Sequence, residues 1–491
     1  MPDLTLPALI YQALGQRLEL PPTPVTDVVQ DHRRVKAGSL FVARRGERRD
    51  GHRYAKLAAD AGAAAVVGDV PGVSVLPWNH VPYIYVSDDK AALAKLAATF
   101  HGRPSKALNV LGITGTDGKT TTAYLLHHLL GSGYKSGLLS TAGNRLGAEP
   151  LAQEGHFTTP EAPDVQRALA AFRDGGCTHA VVESSSHGLA QRRLDEVAYD
   201  VGIWTNLSPE HLDFHGTLAA YREAKLTLMR RARISVLNRD DAAFAAFAAA
   251  AHEVVSYGEH PESDWRASDV HQEAGKQSFV LHSPAGEARV TLPVIGAYNV
   301  HNALAALAAA HSAGLSLETL SARLASFPGV PGRMQLVQSE PFTAVVDFAH
   351  TPPALEKLLR TLRPLTQGRL IVVLGAAGER DPGKRAPLGE VATRLADLSF
   401  FTEEDSRSEV VEHILAEMAR GAHAAGGRAA QSYWCLPDRR EAIGTALAEA
   451  APGDTVVFAG KGHETTLERA REILPWDEVA EVRRALSLSS E

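Results

Sequence analysis

The stretch that decides the fold of this chain is Gly112-Ile113-Thr114-Gly115-Thr116-Asp117-Gly118-Lys119-Thr120-Thr121-Thr122. A short apolar run leads into it at residues 108–113, and helical spacing follows over residues 120–130. This pattern predicts a strand, a tight loop and a helix N-terminus, where backbone N–H groups and the helix dipole favour phosphate. An ordinary Gly/Thr-rich turn between a strand and a helix is the alternative.

The loop has the residue types of a triphosphate site. Small residues let backbone N–H groups approach phosphate oxygens, Lys119 adds a cation, and the Thr120 hydroxyl can ligate Mg²⁺. The strict phosphate-loop spacing places glycine at position 113, where this chain has isoleucine, so the loop is a variant. The residues predicted to bind the nucleotide are Gly115, Thr116, Asp117, Gly118, Lys119, Thr120 and Thr121.

Length and composition describe a multidomain globular protein. At 491 residues the chain is too long for one core, and about three domains are expected. A net charge of −7 implies no global attraction to nucleic acid or anionic membranes. The two cysteines are far apart, and the N-terminus has no positive segment before a long apolar stretch. We therefore expect a cytoplasmic monomer with no nucleic-acid or membrane partner.

The order of apolar segments predicts an α/β protein of three domains. Breaks at residues 101–105 and 328–332 divide an N-terminal domain (1–104), a central domain (105–332) and a C-terminal domain (333–491). Alternating strands and helices predict a parallel sheet in the central domain, and period-two spacing at 278–293 predicts a small antiparallel addition. Strands recur after residue 343, which predicts a separate Rossmann-like domain.

Three side chains are candidates for chemistry beside the loop. Glu183 ends an apolar strand, and His211 follows the next strand, so both belong to the sheet edge that carries the loop. A carboxylate and an imidazole there could hold a second Mg²⁺. A salt-bridge role for Glu183 and a helix-start role for His211 are the alternatives. On spacing alone, Lys225 is one more solvated helix lysine.

Several motifs in register resemble the Mur ligases, and among them the type that makes UDP-N-acetylmuramoyl-tripeptide. The family's Thr-Gly-Thr-x-Gly-Lys-Thr loop matches residues 114–120, and its Glu-x-Ser-Ser-His segment matches 183–187. Its Thr-Asn-Leu-x-x-x-His-Leu-Asp segment matches 205–213, and its carbamylated, metal-ligating lysine matches Lys225. The resemblance covers nearly the whole chain. It implies a three-domain protein with a phosphate-loop ATPase domain at its centre.

The resemblance assigns roles residue by residue. It implies Lys119, Glu183, His211 and carbamylated Lys225 as catalytic residues, with Mg²⁺ held by Thr120, Glu183, His211 and Lys225. Further contacts to ATP are implied for Asn302, Arg333, Asp347 and His350. The UDP-linked substrate is expected at Thr158, Thr159, Ser185, Gln191 and Arg193. Helix capping is the alternative role for the Ser and Thr residues.

By the same resemblance, the C-terminal domain binds the incoming diamino acid. The residues implied are Arg380, Asp405, Arg407, Gly460 and Glu464. Members that use meso-diaminopimelate carry Asp-Asn-Pro-Arg where this chain has Glu404-Asp405-Ser406-Arg407, so meso-diaminopimelate, lysine and ornithine all remain candidates. Two other departures are Asp117, where the family usually has asparagine, and His32, where it has serine near the uridine.

The implied reaction is ATP-dependent amide formation in peptidoglycan precursor synthesis. A diamino acid would be added to UDP-N-acetylmuramoyl-L-alanyl-D-glutamate through an acyl phosphate, with ATP and Mg²⁺ as the other requirements. Two alternatives are a family ligase that acts on another carboxylate substrate, and a catalytically altered relative that only binds a nucleotide sugar. Retention of Lys119, Glu183, His211 and Lys225 favours an active ligase.

Overall fold

The fold is taken from a computed structural model, which describes residues 4–46, 50–71, 81–152, 158–273 and 275–488. The chain separates into two compact units. Unit 1 comprises Met1–Arg266, His282–Glu287 and His301–Arg323, and unit 2 comprises Ala267–Leu281, Ala288–Val300 and Leu324–Glu491. Both the predicted N-terminal domain and most of the predicted central domain belong to unit 1. The division at residues 104 and 332 therefore stays a prediction.

Unit 1 begins with a small parallel sheet. Its strands, in spatial order, are β1 (Asp27–Val29), β2 (Ser39–Ala43), β3 (Ala65–Gly68) and β4 (Tyr83–Tyr85). Its helices are α1 (Leu6–Leu14), α2 (Ala55–Asp60) and α3 (Asp89–Phe100), with 3₁₀ turns at His32–Arg34, Gly51–Tyr54 and Pro104–Ala107. Apolar residues of α1 and α3 fill one face of the sheet, and those of α2 fill the other. The central strands β2 and β3 are thus buried on both faces.

The main sheet of unit 1 carries the phosphate-loop motif. Its strands are β5 (Asn109–Thr114), β6 (Ser136–Leu139), β7 (Asn144–Leu146), β8 (Glu149–Leu151), β9 (His179–Glu183), β10 (Tyr199–Trp204), β11 (Ala232–Asn238) and β12 (Val254–Gly258). Their order is β12-β11-β10-β5-β9-β6-β7-β8. The pairs from β12 to β6 are parallel, and β7 and β8 are antiparallel. The predicted parallel sheet is confirmed.

Helices alternate with these strands, as the sequence pattern predicts. They are α4 (Lys119–Leu130), α5 (Ala162–Asp174), α6 (Ser186–Ala190), α7 (Leu212–His215), α8 (Leu218–Arg231) and α9 (Phe244–Ala248). Because β10, β5 and β9 are neighbours, the loop after β5, Glu183 and Thr205 meet at one edge of the sheet. Residues that are far apart along the chain thus come together because their strands are adjacent in the sheet.

Three further strands match the predicted antiparallel addition. They are β13 (Trp265–Glu273), β14 (Lys276–Ser283) and β15 (Gly286–Leu292), which neighbour one another in that order. Residues 284 and 285 form the turn between the last two. The helices α10 (Tyr298–Ser312) and α11 (Leu317–Leu324) follow. The helix expected near residue 302 therefore begins four residues earlier.

Unit 2 contains a second wound sheet, which confirms the predicted Rossmann-like architecture. Its strands are β16 (Gln335–Gln338), β17 (Thr343–Asp347), β18 (Leu370–Leu374), β19 (Leu398–Phe401), β20 (Tyr433–Cys435) and β21 (Thr455–Ala459). Their order is β16-β17-β21-β18-β19-β20, and only β16 is antiparallel to its neighbour. A separate hairpin joins β22 (Thr466–Arg469) to β23 (Glu472–Pro475).

The helices of unit 2 cover both faces of its sheet. They are α12 (Pro352–Leu362), α13 (Arg385–Leu395), α14 (Val411–Ala424), α15 (Arg439–Ala448) and α16 (Glu478–Leu488), with 3₁₀ turns at Arg363–Leu365 and Pro382–Lys384. Successive residues of each strand belong alternately to two separate apolar clusters, one on each side of the sheet. Among the described helices of the whole chain, none combines the length and apolar character needed to span a bilayer.

Several histidines of unit 1 are held neutral by the fold. Burial is the main cause that lowers the pKa of His101, His127 and His187 to about 4. The His127 ring lies with its nitrogens 3.0 Å from the Gly147 carbonyl oxygen and 2.8 Å from the Ser136 hydroxyl. These contacts fix the end of α4 to the neighbouring strand β6.

We expect the free energy of unfolding to fall as the pH drops from about 6.5 towards 4. The unfolded chain takes up a proton on His127 near its ordinary pKa of about 6.5, whereas the folded state resists it. The stabilisation is therefore complete above pH 6.5 and is lost on acidification, by about 2 kcal/mol at pH 5. Urea unfolding at pH 7 and pH 5 measures this loss.

The variant His127→Gln should lose less stability between these two pH values than the wild type. His252→Gln, which changes an exposed histidine, serves as the control and should keep the wild-type dependence. An unchanged pH dependence in His127→Gln would contradict the assignment.

Candidate active site

The loop after β5 is held in place by hydrogen bonds from Thr205 and Asn206, which follow the neighbouring strand β10. The Asp117 N–H donates to Asn206 Oδ1 at 2.9 Å, and the Asp117 carbonyl accepts from Thr205 Oγ1 at 2.6 Å and Asn206 Nδ2 at 3.2 Å. The Thr116 N–H also donates to the Asn206 carbonyl, at 3.0 Å. These bonds use the backbone of Asp117, so the loop keeps its shape with aspartate in place of the family's asparagine.

Gly118 allows the loop to turn into α4. Its φ is +83°, a left-handed conformation that favours glycine. A Cβ atom at this position would lie 2.3 Å from Asn302 Oδ1, so the loop approaches the buried Asn302 too closely for any side chain. Asn302 Oδ1 also accepts from Thr122 Oγ1 at 3.3 Å. Asn302 thus lies beside the loop, and its predicted contact with adenine stays a prediction.

Lys119 is the first residue of α4, and its amine folds back over the loop. Its Nζ donates to the carbonyl oxygens of Gly115 at 3.0 Å and Thr116 at 2.7 Å. The first turn of α4, whose N–H groups have no carbonyl partner within the helix, lies in the same place. A cation and several N–H donors therefore converge where the sequence predicts phosphate.

Glu183 is fully buried at the end of β9, within a set of hydroxyl groups. Its carboxylate accepts hydrogen bonds from Ser140 Oγ, Thr141 Oγ1 (2.9 Å) and Thr120 Oγ1 (3.2 Å). The structure thus brings together two of the residues predicted to ligate Mg²⁺, Thr120 and Glu183. The chemistry fits this ion, because Mg²⁺ prefers oxygen ligands.

Two of these hydroxyl partners of Glu183 are not predicted from the sequence. Ser140 and Thr141 follow β6, and β6 becomes the neighbour of β9 only in the folded sheet. Their position directly after a buried strand is the signal that could have identified them. Over the described ranges, from residue 4 to 488 with four internal gaps, no three His, Cys, Asp or Glu side chains form a metal-type cluster.

Lys225, on α8, is buried to 99% and does not face solvent as its spacing would suggest. Its Nζ donates to the Gly115 carbonyl at 2.5 Å and lies 4.3 Å from the centre of the Tyr221 ring. Tyr221 in turn donates to Thr116 Oγ1 at 3.2 Å. Burial, followed by the charge of Lys119, lowers the pKa of Lys225 well below its ordinary range. Both effects favour the neutral form of the amine.

His211 directly precedes α7, with a left-handed φ of 55° and an exposed side chain. Its ring centre is 4.6 Å from that of His187, and its Nε2 lies 3.6 Å from the Glu210 carboxylate. Burial and the nearby His211 and His215 hold the pKa of His187 at about 4. The structure therefore places His211 in a group of imidazoles beside the cleft.

An open cleft of about 1040 Å³ in unit 1 collects eight of the predicted site residues. It is lined by Lys119, His211 and Lys225 together with all five residues expected to bind the UDP-linked substrate, Thr158, Thr159, Ser185, Gln191 and Arg193. The region 25–101 also contributes, through His32, Arg33, Arg44 and Tyr54 among others. The cleft is large enough for a nucleotide-sized ligand.

A hydrogen-bond network joins the predicted substrate residues to Glu183. Thr159 Oγ1 donates to the Glu183 carbonyl at 2.8 Å and accepts from the Ser185 N–H at 3.0 Å. Arg193 donates to the Thr159 carbonyl at 2.8 Å and to Gln191 Oε1 at 2.7 Å. Ser185 Oγ accepts from the Gly188 N–H, so this residue also caps α6. Ser185 therefore caps a helix and also lines the cleft, so the two roles are compatible.

Glu161 is a residue of this cleft that sequence reasoning missed. Its carboxylate forms ion pairs with Arg44 at 2.5 Å and with Arg193 at 2.8 Å. It therefore links two cations of the cleft, one from each predicted domain of unit 1. Its position directly after Thr158-Thr159-Pro160 is the only sequence signal for it.

In unit 2, three predicted ATP contacts lie close to one another. The buried Asp347 accepts from the N–H groups of Met334 at 2.7 Å and Ala349 at 2.8 Å, and burial raises its pKa. The Arg333 guanidinium lies 4.7 Å from the Phe348 ring centre, and His350 Nδ1 lies 2.9 Å from the Phe348 carbonyl oxygen. Their contact with ATP stays a prediction.

The residues predicted to bind an amino acid are also in unit 2. Asp405 and Glu464 both pair with the buried Lys461, at 2.8 and 2.7 Å. Arg407 pairs with Glu468 at 2.9 Å, whereas Arg380 is exposed. Gly460 follows β21 with a left-handed φ of 105°. Glu404, Lys461 and Glu468 were not predicted, and their role becomes visible only from these contacts.

Substitution of Gly118 tests the nucleotide loop. Gly118→Ala would place a methyl group against Asn302 and force a left-handed conformation on alanine, so we expect ATP binding to weaken at least tenfold. Isothermal titration of ATP measures the effect.

Gly176→Ala is the matched control, because Gly176 has a similar φ of +76° but no neighbour within 4 Å of the new Cβ. It should keep the wild-type affinity. Equal affinities for all three proteins would show that the loop does not bind nucleotide.

Comparison with known protein families gives three matches in sequence order. Residues 25–101 match "Mur ligase family, catalytic domain", residues 113–310 match "Mur ligase middle domain", and residues 332–462 match "Mur ligase, glutamate ligase domain". Together these matches cover both units.

Individual proteins are similar over nearly the whole chain. A UDP-N-acetylmuramyl-tripeptide synthetase of Deinococcus radiodurans is 50% identical over 95% of this chain and 95% of its own length. A UDP-N-acetylmuramoyl-L-alanyl-D-glutamate--2,6-diaminopimelate ligase of Geobacillus kaustophilus is 40% identical over 93% of this chain and 94% of its own. A solved structure of a ligase with that same name superposes with a TM-score of 0.69, at 30% identity, over 99% of this chain and 100% of its own.

Proposed function

The chain belongs to the Mur ligase family, and we propose that it adds a diamino acid to UDP-N-acetylmuramoyl-L-alanyl-D-glutamate at the expense of ATP. The observation that carries this proposal is the convergence of Lys119, Lys225 and the predicted substrate residues on one cleft. The names of relatives at 40–50% identity support the substrate. The product would be a UDP-linked tripeptide, a peptidoglycan precursor.

The reaction proceeds in two steps. The side-chain carboxylate of the D-glutamyl residue attacks the γ-phosphorus of ATP, the bond to ADP breaks, and an acyl phosphate forms. The amine of the diamino acid then attacks the acyl carbon, phosphate leaves, and the amine gives up a proton. Phosphoryl transfer needs positioning and charge neutralisation more than covalent help from the protein.

Lys119 supplies much of that neutralisation. Its amine already lies over the loop, with two backbone carbonyls as temporary partners. Phosphate oxygens would replace these carbonyls, because an ammonium binds an anion more strongly than a neutral oxygen. The N–H groups at the start of α4 point to the same region.

Mg²⁺, when bound, would shield the charge of the phosphates and draw the substrate carboxylate towards them. Thr120 and Glu183 fit one ion, since both are oxygen ligands already in contact. His211 and Lys225 complete the set that we assign to a second ion. We assign Lys225 to this set in a chemically modified form that supplies an oxygen ligand, because Mg²⁺ prefers oxygen to nitrogen ligands.

We assign that form to a carbamate on Lys225. A neutral lysine amine adds CO₂, loses a proton and becomes an anionic oxygen ligand. The buried position and the depressed pKa support this assignment, because they keep the amine unprotonated. The resulting negative charge would lie close to Lys119, whose charge already influences Lys225.

The substrate and amino-acid roles follow the family pattern. Thr158, Thr159, Ser185, Gln191 and Arg193 would hold the UDP-linked dipeptide. Arg333, Asp347 and His350 would contact ATP, and Arg380 would bind the α-carboxylate of the diamino acid. We also propose a monomer that works in the cytoplasm, which two unbridged cysteines support.

A direct assay tests the proposal. Purified protein is mixed with the UDP-dipeptide and ATP, with Mg²⁺ present, and a panel of meso-diaminopimelate, lysine and ornithine is tested for ADP release. We expect release that requires both the dipeptide and one of the amino acids. Lys119→Ala should lower kcat at least a hundredfold, because it removes a cation from the transferring phosphate.

Lys135→Ala, which removes an exposed lysine, is the control and should retain full activity. If no amino acid stimulates ADP release from the wild type, the ligase proposal is wrong and a binding role for the same cleft takes its place.

The carbamate has its own test. Lys225→Ala should abolish turnover, and a short-chain carboxylic acid added to the assay should restore part of it by supplying the missing oxygen ligand. Lys119→Ala lacks a cation instead, so the same acid should not rescue it. Full activity of Lys225→Ala without added acid would exclude a catalytic carbamate.

A further inference from the structure

The guanidinium group of Arg407, in unit 2, already contacts other residues of the protein. Its Nε pairs with Glu468 Oε2 at 2.9 Å, its Nη1 donates to the Gly378 carbonyl at 2.6 Å, and its Nη2 lies 3.8 Å from Asp405 Oδ2. The backbone N–H of Arg407 also donates to the Glu468 carbonyl, at 3.1 Å. All three guanidinium nitrogens therefore face oxygen atoms of the chain, which leaves Arg407 poorly suited to receive another carboxylate.

The surroundings of Arg407 carry more negative than positive charge. Lys461 links Asp405 to Glu464, and Asp405 adjoins Arg407, which pairs with Glu468. With Glu404 beside Gly460, the cluster contains four carboxylates and two cations. Burial raises the pKa of Glu464, Lys461 opposes this rise, and the nearby Asp405 and Glu404 add to it. These six side chains therefore carry two more negative charges than positive ones.

One carboxylate oxygen of this cluster has no hydrogen bond. Glu404 is 94% buried, and its Oε2 has no donor among the described residues. This oxygen lies 3.0 Å from the position that a Cβ on Gly460 would occupy. A buried carboxylate oxygen without a donor is costly, so a ligand that brings an N–H group would be bound favourably there. Gly460 leaves the space next to it open.

From these contacts we propose that unit 2 selects a diamino acid whose side chain ends in an ammonium group and carries no second carboxylate. Lysine and ornithine have this chemistry, whereas meso-diaminopimelate does not. The ammonium would meet the unpaired oxygen of Glu404 and the excess negative charge around it. Glu468 acts as the specificity-determining residue, because it occupies the one arginine that could have received a distal carboxylate. The inference rests on the proposed ligase function.

Competition between amino acids tests this selection. In the ADP-release assay, kcat/KM for lysine or ornithine should exceed that for meso-diaminopimelate at least a hundredfold. The substitution Glu468→Gln keeps the shape of the side chain but releases Arg407 and removes one negative charge. It should shift the ratio towards meso-diaminopimelate by tenfold or more, through KM rather than kcat.

Glu472→Gln is the matched control. Glu472 lies on the other strand of the same hairpin and pairs with Arg469 at its exposed edge, so the preference should stay at the wild-type ratio. A ratio of two substrates measured on one protein is insensitive to partial loss of folded enzyme, which keeps the test valid for a weakened variant.

The outcomes separate the two proposals. ADP release with meso-diaminopimelate but with neither lysine nor ornithine would overturn the selection and leave the ligase function intact. An unchanged ratio in Glu468→Gln would overturn the role of that residue. No release with any of the three would overturn the ligase function and, with it, the selection.

Discussion

The hydrogen bond from the buried Lys225 amine to the Gly115 carbonyl is the contact on which the reacting end of unit 1 depends. It ties α8 to the phosphate loop over a distance of 110 residues in sequence. An ammonium buried to this degree would need a nearby carboxylate, yet the strongest charge felt by Lys225 is the positive one of Lys119. Burial and the charge of Lys119 therefore favour the neutral form of this amine, at a place where phosphates are expected. Such an arrangement costs stability and is typical of a reactive site.

The order of strands in the sheet turns scattered residues into one site. β10, β5 and β9 are adjacent, so the loop, Glu183 and the Thr205 segment share an edge although they are far apart in the chain. Two contacts around this edge link separate elements: the Glu183 carboxylate accepts from Thr120, and the Glu183 carbonyl accepts from Thr159. A single residue thus joins the start of α4 to the Thr159 segment, which lines the cleft. This position suits a group that helps to bring two anions together.

The features that could be predicted from the sequence are those that depend on residues close together in the chain. The loop, the alternation of strands and helices, and the small antiparallel addition follow from spacing and turn residues, and the structure confirms each. Lys225 shows the limit: helical spacing gives a solvated residue, and only tertiary packing reveals its burial. Ser140 and Glu161 were missed for a related reason, since their partners lie on other elements and no periodic pattern connects them.

The same limit governs the choice of amino acid. The motif around Arg407 retains its arginine, which by itself leaves three amino acids open. We propose that Glu468 decides between them, because it pairs with that arginine from a strand 61 residues away, a contact that no local motif contains. Charge in a binding site is a property of the folded cluster, and a single retained residue does not define it.

The transfer of an oxygen atom tests the central claim most directly. The UDP-dipeptide is labelled with ¹⁸O in the side-chain carboxylate of its D-glutamyl residue and turned over with ATP and the accepted diamino acid. An acyl phosphate requires that one carboxylate oxygen leaves with the phosphoryl group, so one labelled oxygen should appear in inorganic phosphate for each amide formed from fully labelled carboxylate. Unlabelled phosphate alongside amide product would contradict activation of the carboxylate by ATP.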